Sequence, residues 1–141
     1  LHVKVLCDKL KKVFEYVIID APAGLDDGLT IAMGGADEVI MVITPEYSSI
    51  RDCQTVTMTL KELGIRNVYY ILNKINTKLM KQGFAPSLKE FPKSITERMI
   101  GLVQRDENIH ISTNMGVPIV FMKESYISRN FDNIAGRIEN L

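Results

Sequence analysis

The sequence predicts an α/β fold in which a mostly parallel sheet is flanked by helices, forming one domain over residues 1–141. Three observations carry that prediction. Short apolar runs rich in β-branched residues recur along the chain, with helix-period stretches between them. The runs are nearly continuous rather than alternating, as in strands covered on both faces. And 141 residues at 46% hydrophobic content are one domain's worth of material, enough to close a core.

The elements follow in order. Val3, Leu6, Leu10, Val13 and Phe14 recur at three to four residues and predict an opening amphipathic helix. Val17, Ile18 and Ile19 form the first strand candidate; residues 38–44, 68–73, 99–103 and 118–122 form the other four. After the second, Ser49 with Asp52 three positions on matches a capping box. Ile50, Cys53, Leu60 and Leu63 then give an apolar stripe, and Gly64 a stop. Pro86 and Pro92 interrupt residues 77–97, where one short helix is expected. Phe131, Ile134, Ile138 and Leu141 predict a closing helix, and Met33, Met41, Met58, Met99 and Met122 are expected as core filler. The sequence has no internal repeat, low-complexity tract or linker.

Seventeen basic and seventeen acidic side chains cancel, so no nucleic-acid partner is favoured. The longest uncharged apolar run, residues 39–44, falls far short of the roughly 20 residues a membrane span needs. The first dozen residues are too charged for a signal peptide. Cys7 and Cys53 lie far apart with no C-x-x-C spacing, which suits two free thiols in a reduced cytoplasmic setting. His110 has no Cys or second His at ligand spacing. The chain starts at Leu1, directly in a helical pattern, and is expected to be a piece of a longer protein.

The stretch YVIIDAPAGLDDG, residues 16–28, ends an apolar run on an acid and then turns through Pro and Gly. Ligands of open parallel sheets gather beyond the carboxyl ends of the strands. Asp20 is placed there, where a carboxylate can hold a hydrated Mg²⁺. Pro22 fixes its backbone, and Gly24 lets an N–H approach a phosphate oxygen. The same residues also make an ordinary turn, and the local pattern leaves both readings open.

Resemblance extends the reading. VIIDAPAGLDDG is similar to the second switch of the MinD/ParA group of deviant P-loop ATPases, MinD branch. GADEVIMVITPEYSSIRDCQTV, ILNKINTKLMKQG, MIGLVQRDENIHISTNMGVPIV and SRNFDNIAGRIENL resemble later segments of that branch, in order, over nearly all of residues 10–141. The resemblance implies a P-loop NTPase fold whose N-terminal units are missing here, and it implies site roles. Asp20 matches the catalytic acid that orders the magnesium shell, and Pro22, Ala23 and Gly24 the loop that senses the γ-phosphate. Asn73 matches the amide that reads the adenine edge, with donor and acceptor in one plane; the local alternative is a strand-end turn. Asp106 falls in the segment on the other side of the base, although Gln104 stands where many relatives have proline. Glu46 matches a glutamate facing the twofold partner of nucleotide-sandwich dimers, or else is a solvated turn acid. Arg51 and Asp52 open the helix shown to regulators, or simply pair with the helix dipole.

The phosphate cradle is absent. G-x-x-x-x-G-K-[ST] requires a glycine followed by lysine, and none occurs; the deviant K-G-G-x-G-K-T form is absent too. In the family that loop precedes the acid-Pro-Gly element, so its place, like that of the first switch, lies upstream of Leu1. The chain alone is therefore expected not to hydrolyse ATP, whether it is the C-terminal part of an ATPase, which is favoured, or a non-catalytic scaffold relative. For the complete protein the resemblance implies ATP and Mg²⁺ as cofactors, a homodimer around ATP, division-inhibitor and activator proteins as partners, and positioning of the division site. A flagellar-number regulator of the same group is the nearest alternative. A DNA-binding partition protein fits less well, because the lysines are scattered. The implied location is cytoplasmic, at the inner face of the cell membrane, through a C-terminal amphipathic helix not present here.

Overall fold

A computed structural model describes residues 2–22, 24, 27–122 and 125–141. The elements are α1 His2–Leu10, α2 Asp27–Met33, β1 Val39–Ile43, α3 Tyr47–Glu62, β2 Val68–Ile75, α4 Thr77–Lys81, α5 Phe91–Ser94, β3 Arg98–Gln104, α6 Glu107–Asn114, a 3-10 turn Ile119–Phe121, and α7 Tyr126–Ile138. Strands and helices alternate as the sequence predicts. The strands form one parallel sheet in the order β1-β2-β3. By chain contacts there are two compact units, residues 1–39 with 54–68 and residues 40–53 with 69–141.

In the first unit α1 packs on α2. Gly35, just past α2, makes the fit: a β-carbon there would lie 2.8 Å from Cys7 Sγ. This contact selects the inner side of α1. Cys7 is buried and Val3 and Leu10 half-buried, whereas Leu6, Val13 and Phe14 of the predicted apolar face are exposed. The helix also stops at Leu10, earlier than its periodicity suggested, where Val13 N–H bonds Leu10 C=O at 2.9 Å. Lys11 Nζ meets Asp37 at 2.6 Å. The helix α3 closes where predicted, with Gly64 N–H donating to Lys61 C=O and Ile65 N–H to Leu60 C=O. Met58 faces solvent instead of filling the core.

The first strand prediction is corrected. Residues 16–20 take no strand assignment, and Ile18 is 92% exposed. A strand is defined by the neighbour that accepts its ladder, and among the described residues none pairs with this run.

In the second unit Tyr69 stands opposite Arg98, Ile71 opposite Gly101 and Leu72 opposite Leu102. Tyr70, Leu72, Phe91, Ile100 and Ile127 are fully buried. The amphipathic α7 lies on β3, with Ile134 against Gly101 and the Arg137 guanidinium donating to Ile100 C=O at 3.0 Å. Around it Val103, Ile119, Ile127 and Ile134 form a buried cluster.

Further expectations change here. Residues 118–122 are not a strand: Pro118 brings no N–H, and Phe121 N–H closes locally onto Pro118 C=O at 3.0 Å. The capping box fails because α3 begins at Tyr47, so Ser49 lies inside its first turn. Ser49 Oγ reaches back to accept Thr44 N–H at 3.1 Å. Residues 77–97 hold two short helices, α4 and α5, rather than one. The predicted closing helix is found as α7, which starts at Tyr126 and is capped by Ser125, whose hydroxyl accepts Ile127 N–H at 3.2 Å. Met41 is buried as expected, while Met99 is exposed.

Candidate functional site

The strands β2 and β3 end side by side, Ile75 opposite Gln104, and Arg105 N–H donates to Ile75 C=O at 2.9 Å. Just beyond these carboxyl ends lies a cavity of about 370 Å³ lined by Ile75, Asn76, Thr77, Gln104, Arg105 and Glu107. Its position is where open parallel sheets hold ligands. Five of its six lining side chains are polar, and they combine amide donors and acceptors, a hydroxyl, a guanidinium and a carboxylate. Such a set suits a hydrogen-bonding ligand. Asn76 also caps α4, its Oδ1 accepting Lys78 N–H at 3.1 Å and Leu79 N–H at 3.2 Å.

The end of β2 is bulged. The register passes from Leu72–Leu102 to Ile75–Gln104, which sets Asn73 and Lys74 against a single residue of β3. Lys74 takes φ +56°, the only positive value among described non-glycine residues. Asn73 is half-buried, and its Oδ1 accepts Lys74 N–H at 2.8 Å, so this oxygen steadies the bulge. Asn73 borders the cavity in sequence without lining it.

Asp106 stands between the cavity residues Arg105 and Glu107. It is the N-cap of α6, with Oδ1 accepting Asn108 N–H at 2.7 Å. Oδ2 accepts the Tyr126 hydroxyl, from the first turn of α7. The Tyr126 hydroxyl first, and then the Asn108 amide, hold the Asp106 carboxyl below the usual aspartate range; the same bond raises the Tyr126 phenol. Both carboxylate oxygens are thus engaged inside the protein.

The remaining predicted residues lie elsewhere. Glu46 is exposed at the entrance of α3, its C=O accepting Ile50 N–H at 3.1 Å, and Arg51 and Asp52 are exposed in the early turns of that helix. In the first unit Asp20 and Pro22 are exposed, and Gly24 adopts φ +109°, a conformation side chains disfavour. Ala23 lies outside the described residues. Among the described residues no group of three His, Cys, Asp or Glu could hold a metal by itself. A lone exposed carboxylate such as Asp20 fits Mg²⁺ only as one outer partner of an ion that keeps its waters and binds phosphate.

Asn76, Thr77, Arg105, Glu107 and Tyr126 do not stand out in the sequence as site residues. Asn76 was findable: an Asn directly after a strand and before a helical stretch is an N-cap signal. Tyr126 had no local signal, because its partner lies twenty residues away. A second cavity, about 410 Å³, is lined mainly by apolar residues of α6, the 3-10 turn and Phe131 of α7. It gathers no reactive groups.

No protein-family model matches the chain. The septum site-determining protein MinD of Bacillus subtilis is 35% identical over 138 residues, 97% of this chain and 52% of that protein. Among solved structures, the MinC:MinD cell division protein complex of Aquifex aeolicus matches with a TM-score of 0.89 at 30% identity, over 97% of this chain and 57% of the other. MinD of Pyrococcus horikoshii OT3 complexed with Mg-ADP matches with a TM-score of 0.85 at 26% identity, over 96% and 55%. The chain spans about half the length of the relatives it matches. Sequence and fold agree along nearly all of it, and over that span the chain is a homologue of the MinD-type septum site-determining proteins, within the MinD/ParA P-loop ATPases.

Proposed function

We propose that this chain supplies the base side and the magnesium-ordering acid of an ATP site, in a dimerising switch ATPase that positions the division site. The observation that carries this reading is the polar cavity beyond β2 and β3, in a chain homologous to MinD proteins, one of which is solved with Mg-ADP. In this reading Asn76, Thr77, Gln104 and Arg105 offer hydrogen bonds to the adenine and sugar, and Asn73 and Asp106 shape the strand end and the loop that frame them. Asp20 orders waters of the magnesium ion, which supplies charge neutralisation at the phosphates. Pro22, Ala23 and Gly24 form the backbone that answers to the γ-phosphate.

The phosphate cradle itself comes from outside these residues, since no glycine here precedes a lysine. Glu46 faces a second copy across the bound nucleotide, and Arg51 and Asp52 present α3 to division regulators. One relative solved as a MinC:MinD complex supports a partner of that type. The complete protein works in the cytoplasm, at the inner face of the cell membrane. A regulator of flagellar number on the same scaffold is the alternative for the cellular role.

Two measurements test the reading. These 141 residues with Mg·ATP should release phosphate at the background rate; clear turnover would show that the cradle is not required. In the polypeptide that also carries a phosphate loop, Asp20→Ala should abolish hydrolysis while thermal stability changes by no more than about 0.5 kcal/mol, as for an exposed side chain. Unchanged turnover removes Asp20 from the site.

A further inference from the structure

Both carboxylate oxygens of Asp106 are engaged inside the protein. One oxygen caps α6 through Asn108 N–H, and the other is taken by the Tyr126 hydroxyl. A carboxylate engaged from two sides holds the backbone that carries it in place. The residues directly before and after it, Arg105 and Glu107, both line the polar cavity. Whatever fixes Asp106 therefore fixes one wall of that cavity.

Tyr126 is well mounted for this. It opens α7, whose next two residues are buried: Ile127 in the core cluster, and Ser128 with its hydroxyl donating to Ile119 and Met122 carbonyls at 2.9 and 3.0 Å. Further along, Ile134 seats on Gly101 and Arg137 holds Ile100 C=O, so α7 is pinned to β3 along its length. The phenol is thus presented from a rigid element to a carboxylate at the head of another helix. The bond runs between an ionised acid and a protonated phenol, and the mutual shifts of the two groups favour keeping it so at neutral pH.

We infer that Tyr126 is a positioning residue for the polar cavity: its hydroxyl holds Asp106, and through it the Arg105 and Glu107 wall, in the geometry that receives a nucleotide base. This rests on the reading of the cavity as the base side of an ATP site. Tyr126 makes no contact with ligand in this scheme. Its effect passes entirely through Asp106.

The test uses the natural polypeptide that carries this chain together with a phosphate loop, and two probes, ATP and inorganic tripolyphosphate. The proteins are unmodified, Tyr126→Phe, Asp106→Ser and the double variant. Serine keeps the helix cap but lacks the second oxygen. Tyr126→Phe should weaken ATP binding about fivefold, equivalent to about 1 kcal/mol, and should leave tripolyphosphate affinity unchanged. Asp106→Ser should do the same, and the double variant should bind ATP no worse than Asp106→Ser alone.

Equal loss of both probes in Tyr126→Phe would mean general damage and overturn the positioning role. So would ATP affinity that Tyr126→Phe leaves intact, or additive losses in the double variant. If the unmodified protein binds tripolyphosphate as tightly as ATP, no base site exists, and the reading of the cavity fails along with the role of Tyr126.

Discussion

Ile134 of α7 sits directly over Gly101 of β3: a β-carbon on Gly101 would lie 2.2 Å from Ile134 Cγ1 and 2.7 Å from its Cδ1. The glycine is there for closeness, since any side chain would hold the helix off the sheet. Ile134 is buried, so it has little room to give. Gly101→Ala should therefore cost about 1–3 kcal/mol through overpacking. Ile134→Ala should cost about 2–5 kcal/mol through a cavity. The two lesions are complementary, and the double variant should be more stable than the sum of the single losses implies. Urea unfolding of the four proteins measures this. Strict additivity would show that the two side chains do not compete for one space.

Lys74 occupies the left-handed region at the β2 bulge, where a residue with a β-carbon pays steric strain of roughly 1–2 kcal/mol. Its side chain is exposed, so the backbone alone decides what the position tolerates. Lys74→Gly should leave stability equal or raise it by up to about 1 kcal/mol, the relief offset in part by a freer unfolded chain. Lys74→Val should destabilise, since β-branching is least compatible with positive φ. Denaturation midpoints give the order Gly, Lys, Val. If valine is tolerated as well as lysine, the bulge is not strained as described.

Asp106 makes a prediction about acid. Its carboxyl is held below the usual aspartate value by the Tyr126 hydroxyl and then the Asn108 amide. A carboxyl whose folded pKa is depressed adds stability above its unfolded value, near pH 4, and that contribution fades as pH falls through the folded value. Unmodified protein and Asp106→Ser should thus differ most in urea midpoint near pH 6 and converge toward pH 3. Glu90 is shifted in the same direction, chiefly by Ser87 and also by the Tyr47 hydroxyl, but it is present in both proteins and cancels. A gap that stays constant across this range would deny the ionised acceptor.

What was legible in the sequence was whatever depends on one segment at a time. The runs of β2 and β3 are nearly continuous in apolar residues and predict covered strands, and Gly64 predicts the stop of α3. The failures are pairwise. Residues 16–20 have the β-branched content of a strand, yet strand formation needs a neighbour, and among the described residues none pairs with them. Residues 118–122 looked alike, but Pro118 cannot donate to a ladder and the chain closes into a local turn. The inner side of α1 was decided by Gly35, which periodicity cannot see. The candidate site follows the same rule. Asp106 is singled out by its own segment, whereas the tyrosine that holds it comes from another helix.

Asn76 has two roles that can be separated by substitution. Its Oδ1 caps α4 by accepting two backbone N–H groups, and its side chain lines the polar cavity. Asn76→Ala should lose the cap, at about 1 kcal/mol of stability, together with any hydrogen bond to a base. Asn76→Asp keeps the acceptor for the helix but removes the amide donor. It should therefore match the unmodified protein in thermal stability while binding ATP several-fold more weakly in the polypeptide that carries the phosphate loop. Calorimetric melting and ATP titration of the same samples separate the two roles. If Asn76→Asp binds ATP as tightly as the unmodified protein, the amide does not read the base, and Asn76 is a cap alone.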